Sequence, residues 1–428
     1  MSKLFAPQEL RFRFPGSTYS TTFTAANDAS WVSGGGSPVT IKARCINGPV
    51  DVTGLTHARV PDPSVRTRGR GRGIGIADRD QGSFTVEMFL NATLASKELL
   101  SLLGIAFGGL SEPSTEHYTL DTSGVHTTSK LYASGIEGEG TAGRAALCGV
   151  RGDARGNGEV IPIVGNGTDY IELARTTSAA MQDGDVVWIS HTVYPDLDAT
   201  ENYLDVLMIG DDAANPDQYN CVGCAITGVE FASTNLPDGE MPTVKLTITP
   251  GRFRLEPAAT KATISHAAPL GADPVGWAGG GFWIAPVYST AQTRGYLLGG
   301  KWECSPDIQR QPLLDPAGYT GIGGWRLQPG VSTWKMTVYG DEGSTDPIPT
   351  YQTDFADSAD TGYQTMRQFG NAADACFAVA HDKTFLDREP YRTELNGCLA
   401  YGFEGHAEER ATTTDLIAGD IKLHFFLS

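Results

Sequence analysis

One short itinerary of residues occurs twice in this chain, and that recurrence constrains the fold more than any other feature. The first passage runs Lys42-x-x-Cys45, Asp62-Pro63, Gly73-Ile74-Gly75 and the alternating stretch Ser83 to Phe89. It resumes with Gly223-Cys224, Gly228 and Val244 to Ile248. The second passage runs Lys301-x-x-Cys304, Asp315-Pro316, Gly321-Ile322-Gly323 and Ser332 to Val338, then Gly397-Cys398, Gly402 and Ile421 to Phe425. Each landmark alone is weak. Seven in one shared order predict a single β unit present twice, the kind of pseudo-symmetric block that sits in a ring or stack.

The spacing of these landmarks divides the chain. Residues 1–37 are Ser/Thr/Gly-rich and read as an extended arm with little packing of its own. Residues 38–257 form the first unit, 258–296 a Gly/Ala/Pro-rich connector and 297–428 the second unit. The paired cysteines lie 179 positions apart in the first unit and 94 in the second, so the first carries roughly 85 extra residues. They fall in 105–219, which has its own strand-like runs, Asp185 to Val193 and Tyr203 to Ile209, and reads as an inserted β subdomain. The best helix is Ala95 to Leu103, with Ser96 as its cap and Gly104 as its stop. The expected fold is therefore mainly β: two tandem β-sandwich or barrel domains, each with a short helix, and an inserted β subdomain in the first.

Composition agrees and excludes several classes. Apolar runs are short and broken by 52 glycines and 24 prolines, which is β texture with long loops. The formal net charge of −18 repels nucleic acid at long range. The N-terminus lacks a secretory apolar core, and Leu99 to Leu110 is too short to span a bilayer, so a cytoplasmic product with no membrane partner is expected. Seven cysteines without a disulfide spacing read as reduced and mostly buried.

No motif predicts a catalytic, cofactor or metal site. Cys221-Val-Gly-Cys224 has knuckle spacing but lacks the second pair that a zinc ribbon needs. The eight histidines are scattered, with no paired-ligand spacing, and there is no nucleophile elbow or phosphate-loop lysine. One feature stands out. Arg66, Arg68, Arg70 and Arg72 form a dense basic run inside the long loop Ile46 to Gln81 of an acidic protein. In an extended strand all four share one edge. A solvated loop, nucleic-acid contact and docking on an acidic neighbouring subunit compete, and the overall charge favours docking, because further copies supply the acidic surface.

The order of strand, long loop, Gly82 to Phe89 strand, Leu-rich helix, then Gly223 to Phe231 and Glu240 to Arg252 resembles the tail tube (major tail) proteins of long-tailed bacteriophages. The resemblance covers about 250 residues over both units and leaves the arm and the insertion unexplained. It implies tail-tube-like domains that close side by side into rings, with long loops locking each ring to the next. Six tube domains per ring, two on each chain, imply a homotrimer of pseudo-sixfold symmetry. It further implies a non-enzymatic virion protein, assembled in a bacterial cytoplasm. Its partners are then its own copies in stacked rings, other phage tail proteins at the tube ends, and duplex DNA that passes a negatively lined channel without specific binding. The alternative is a carbohydrate-binding or receptor-binding β protein of the tail tip, using the chain's seven tryptophans for sugar stacking.

Overall fold

The computed structural model describes residues 7–28, 31, 52, 55–60, 77–90, 97–140, 149–152, 160–177, 180–210, 217–234, 242–263, 281–285, 292–294, 300–314, 322–328, 330–339, 362–372, 375–408 and 421–426. Strands dominate. β1 (Pro7–Gly16), β2 (Thr56–Val60), β3 (Ala77–Gln81) and β4 (Phe84–Phe89) lead into α1 (Lys97–Phe107) and β5 (Gly108–Ser111). Next come β6 (His117–Thr119), β7 (Lys130–Tyr132), β8 (Gly149–Gly152), β9 (Val160–Gly167), β10 (Tyr170–Leu173) and β11 (Val186–Ile189). The middle of the chain holds β12 (His191–Pro195), β13 (Tyr203–Gly210), β14 (Gln218–Thr234), β15 (Thr243–Thr249) and β16 (Arg252–Leu255). After them lie β17 (Gly281–Ala285), β18 (Gln292–Arg294), β19 (Gly300–Ser305), β20 (Gln309–Leu314), β21 (Ile322–Gln328) and β22 (Ser332–Tyr339). The last five are β23 (Tyr363–Ala372), β24 (Ala375–Leu386), β25 (Tyr391–Leu395), β26 (Cys398–Ala407) and β27 (Lys422–Phe426).

The pairings fall into two sets with the same connectivity. In the first, β1 pairs with β13, β13 with β14, β14 with β15 and β15 with β4, while β16 joins the first half of β14. In the second, β17 pairs with β23, β23 with β24, β24 with β26 and β26 with β22, while β27 joins the first half of β24. Every pairing is antiparallel, and the strands follow one another along the chain in the same order. A separate two-stranded hairpin precedes the landmark strand in each set: β2–β3 before β4, and β20–β21 before β22. The end of β14, Phe231 to Thr234, pairs with Cys304 to Lys301 of β19, and β19 pairs with β22. One large sheet therefore runs through both sets, over one core that includes Phe12, Val86, Leu103, Trp302, Phe377 and Phe425.

Four sequence expectations change here. Ser83–Phe89 and Ser332–Val338 do hold the same place, in β4 and β22. Gly223-Cys224 lies within β14, whereas Gly397-Cys398 ends a turn and opens β26, and Val244–Ile248 and Ile421–Phe425 fall in β15 and at β27, which hold different places. The two glycines do different work. Gly223 (φ +59°) sits inside β14, where an added Cβ would stand 2.8 Å from the Ser20 carbonyl oxygen. Gly397 (φ +78°) follows Asn396 (φ +52°) in a two-residue turn whose positive φ values suit the twist of a hairpin.

The second change is at the N-terminus. The arm is no loose lead: Glu9 to Phe14 alternates polar and aromatic or aliphatic residues, and Leu10 and Phe12 enter the core on β1. Likewise the connector holds β17, which pairs with β23 and buries Phe282 and Ile284.

Third, α1 runs past Gly104 to Phe107. Gly104 fits because nothing nearer than Leu110 at 3.6 Å meets its missing Cβ. Gly108 ends the helix at φ +89°, with the Asp196 carbonyl oxygen 2.7 Å from where its Cβ would be. Ser96 lies outside the described residues. Among the described residues α1 is the only α-helix, so a helix in each domain is not seen; residues 340–361, between β22 and β23, lie outside them.

Fourth, the separate sheet is narrower than 105–219. It contains β6 to β11 in the order β6-β11-β8-β9-β10-β7 and spans 117–189, with its own core of Leu131, Ile161, Ile163, Ile171 and Val187 among others. β12 and β13 belong to the large sheet. β13 is buried along its whole length, as a strand covered on both faces must be. The small sheet docks on the second set of strands, through Val160 and Trp188 beside Trp283, Met366 and Ala378.

Candidate assembly interface

The arginine run lies in the connection of a hairpin. β2 and β3 pair in register from Thr56↔Gln81 to Val60↔Ala77, so the chain from 61 to 76 joins their paired ends. Arg66, Arg68, Arg70 and Arg72 fall in that connection, outside the described residues, as do Lys42 and Cys45. A two-stranded ribbon alone is marginal in water, and this one joins no larger sheet among the described residues.

Its counterpart β20–β21 shows how such a hairpin is held. Arg310, almost fully buried, donates from Nη1 to Glu201 Oε2 at 2.8 Å and from Nη2 to the carbonyls of Ile105 (2.6 Å) and Ala106 (3.0 Å). Those carbonyls belong to the last turn of α1, where backbone acceptors lack helical partners and a cation is favourable. Burial lowers the Arg310 pKa, and Glu201 opposes that shift. Glu201 also accepts the Leu327 amide, while Trp325 packs with Tyr203 and Ala225 and donates its indole N–H to the Gly223 carbonyl at 3.4 Å. One ion pair thus fixes β20, β21, α1 and the entry to β13.

The titratable groups that sequence reasoning did not single out are internal. His381 Nδ1 lies 3.0 Å from Thr365 Oγ1, and its Nε2 lies 3.8 Å from the Cys304 thiol. His424 Nδ1 lies 3.1 Å from both Ser190 Oγ and Thr192 Oγ1. Burial pushes the His381 pKa down to about 4 and that of His424 to about 3, so both are neutral at pH 7. Cys304 is 1% exposed, so this thiol–imidazole pair offers no path to a substrate. Burial also raises the Cys224 thiol pKa, which keeps it protonated and inert. Among the described cysteines Cys221, Cys224, Cys304 and Cys376 are buried and only Cys398 is exposed.

Among the described residues no helix is long and apolar enough to cross a membrane, and no three His, Cys, Asp or Glu side chains are placed to hold a metal ion. No family model and no curated protein matches the chain.

Proposed function

We propose that this chain is a structural subunit that builds a hollow tube, the tail tube of a long-tailed bacteriophage. One observation carries the reading: six strands and five antiparallel pairings recur in the same order in the two halves of the chain, each with a separate hairpin before its landmark strand. A duplicated unit has two pseudo-equivalent faces, and three such chains present six units around an axis. The rings stack, and the hairpin connection carrying Arg66 to Arg72 reaches acidic surface on a neighbouring copy. The net charge of −18 per chain supplies that surface and a bore offering few phosphate contacts to passing DNA. Negative-stain microscopy of the purified protein tests this: rings or striated tubes with an axial channel support it, and compact monomers or solid fibres refute it.

A second reading, glycan binding, rests on the small sheet. Tyr132 and Tyr170, both half-buried, stand 5.1 Å apart and tilted at 46°, beside Lys130 and Glu172. Oligosaccharide titration that shifts the resonances of both tyrosine rings would favour this reading; unshifted rings dismiss it.

A further inference from the structure

We propose that the imidazole of His126 is a pH-operated latch on the small sheet, holding Tyr132 beside Tyr170 while neutral and releasing it on protonation. The latch stands apart from the tube reading and governs the tyrosine pair on which the glycan reading rests. Its test reads the loop itself, so it holds or fails whether or not glycan binds.

The carrying observation is how β7 is closed on the side away from β10. Tyr132 faces Tyr170, Lys130 faces Glu172, and Leu131 between them faces Ile171. In an antiparallel pair the backbone groups of alternate residues point away from the partner strand, here those of Lys130 and Tyr132. The loop before β7 takes all of them. Lys130 N–H donates to Thr127 Oγ1 at 2.9 Å, and its carbonyl accepts the Thr127 amide at 3.1 Å. The Tyr132 carbonyl accepts the Asp121 amide at 3.1 Å, and the Tyr132 N–H donates to His126 Nδ1 at 3.2 Å. Only the last bond depends on a group that titrates near neutral pH, because it needs a bare ring nitrogen.

The other side of the ring fixes its tautomer. Nε2 lies 3.0 Å from both the Asp121 carbonyl oxygen and Asp183 Oδ1, so the one proton of the neutral ring sits there. The His126 side chain is 5% exposed, whereas that of Asp183 is 56% exposed. The ring meets Tyr132 edge-on with centroids 5.9 Å apart, and a Cβ at Gly124 would strike the same phenol ring. Loop and tyrosine are packed as one piece.

Among the described residues, the titratable groups on the elements around the ring are Asp121 in its own loop, Asp183 and Asp185 in the turn before β11, and Lys130 and Tyr132 on β7. Lys130 is engaged by Glu172 and the face of Tyr170, and Asp185 accepts the Gln182 amide. Hydrogen bonds from Ser123 and Ser134 hold the Asp121 carboxyl below its ordinary pKa, so it stays ionised where a histidine charges. A second proton on the ring must land on Nδ1, where it meets the Tyr132 N–H. Two donors then face each other, while Asp183 draws the charged ring outward. The Tyr132 amide loses its acceptor, and the tyrosine is no longer held.

Hydrogen exchange of the full chain, read by mass spectrometry at about pH 7.5 and 5.5, tests this. After correction for the intrinsic pH dependence of exchange, residues 120–134 should lose protection at the lower value while β24 keeps its own. His126→Asn places a non-titrating oxygen where Nδ1 stood, and should keep the protection at both values. Asp183→Asn removes the anion that favours the charged ring, and should move the loss to lower pH. Wild-type protection that survives acidification overturns the latch. So does a loss that still follows pH in His126→Asn, or one that stays at the same pH in Asp183→Asn. Where His126→Asn is unprotected at both values, the Asp183→Asn shift alone decides.

Discussion

Asp205 accepts the amide of Gly223 at 3.0 Å across the β13–β14 pair, beside the register shift between Leu204 and Val206. The same carboxylate receives Arg13 of β1, whose Nε lies 3.0 Å from Oδ2. One buried side chain therefore satisfies the displaced amide of β14 and holds three strands together. Burial raises the Asp205 pKa, and the Arg13 and Gly223 hydrogen bonds pull against that rise.

Asp205→Ala should be among the most damaging single changes, because it takes the carboxylate from the half-buried Arg13 guanidinium and the acceptor from the buried Gly223 amide. A loss of about 3–5 kcal/mol is expected from urea denaturation. Asp205→Asn keeps an acceptor for Gly223 and should lose less. Gly223→Ala meets both the positive φ and the Ser20 carbonyl, and should cost about 1–3 kcal/mol. A neutral Gly223→Ala would mean that β14 is not bent there.

The Arg310–Glu201 pair predicts a local coupling. Arg310→Ala should destabilise by about 3 kcal/mol, the lower end for a broken buried pair, since Glu201 keeps the Leu327 amide. Hydrogen exchange should quicken both in β20–β21 and at the end of α1. Faster exchange in the hairpin alone would show that Arg310 does not fix the helix end.

Stability should fall on mild acidification, and the histidines set the window. His381 and His424 titrate near 6.5 when unfolded but near about 4 and about 3 in the fold. The unfolded chain therefore binds more protons as pH drops, and the stability from both rings, complete above 6.5, is lost toward those lower values. Each contributes a slope of about 1.4 kcal/mol per pH unit at most. Asp205 has the opposite sign, since a raised carboxyl pKa makes acidification favourable to the fold. Unfolding free energies at pH 7, 6 and 5 should show the decline, and His424→Gln should flatten it; an unchanged slope in that variant would contradict the burial account.

Replacing Arg66, Arg68, Arg70 and Arg72 together by serine should weaken assembly without changing monomer stability. Exposed ion pairs are worth about 0.2–1 kcal/mol each, so single replacements should be nearly silent. Wild-type assembly by the quadruple variant would remove the docking role of the run.

The β texture, α1 and the landmark strands β4 and β22 were legible because alternation and leucine spacing are local signals. Leu10 and Phe12 were missed, because their short alternating run precedes Ser/Thr/Gly-rich residues that set the composition of the whole segment. Gly397 misled because a glycine in a turn and a glycine in a bulged strand look alike in sequence; Asn396 before it was the clue to the turn. Glu201–Arg310 and Asp205–Gly223 join residues far apart in the chain, and no spacing rule reaches across them. The like places of β14 and β24, and of β15 and β26, appear only in the pairings, because a strand's place in a sheet is not written in its own residues.

The central claim is that two like units on each chain make a ring of three. Cryo-electron microscopy of assembled protein, averaged down the axis, measures this directly. The account predicts three chains per ring, six pseudo-equivalent units and an open channel about 20 Å or more across, enough for a B-form duplex. Six chains per ring, or three chains closing without a channel, would contradict it.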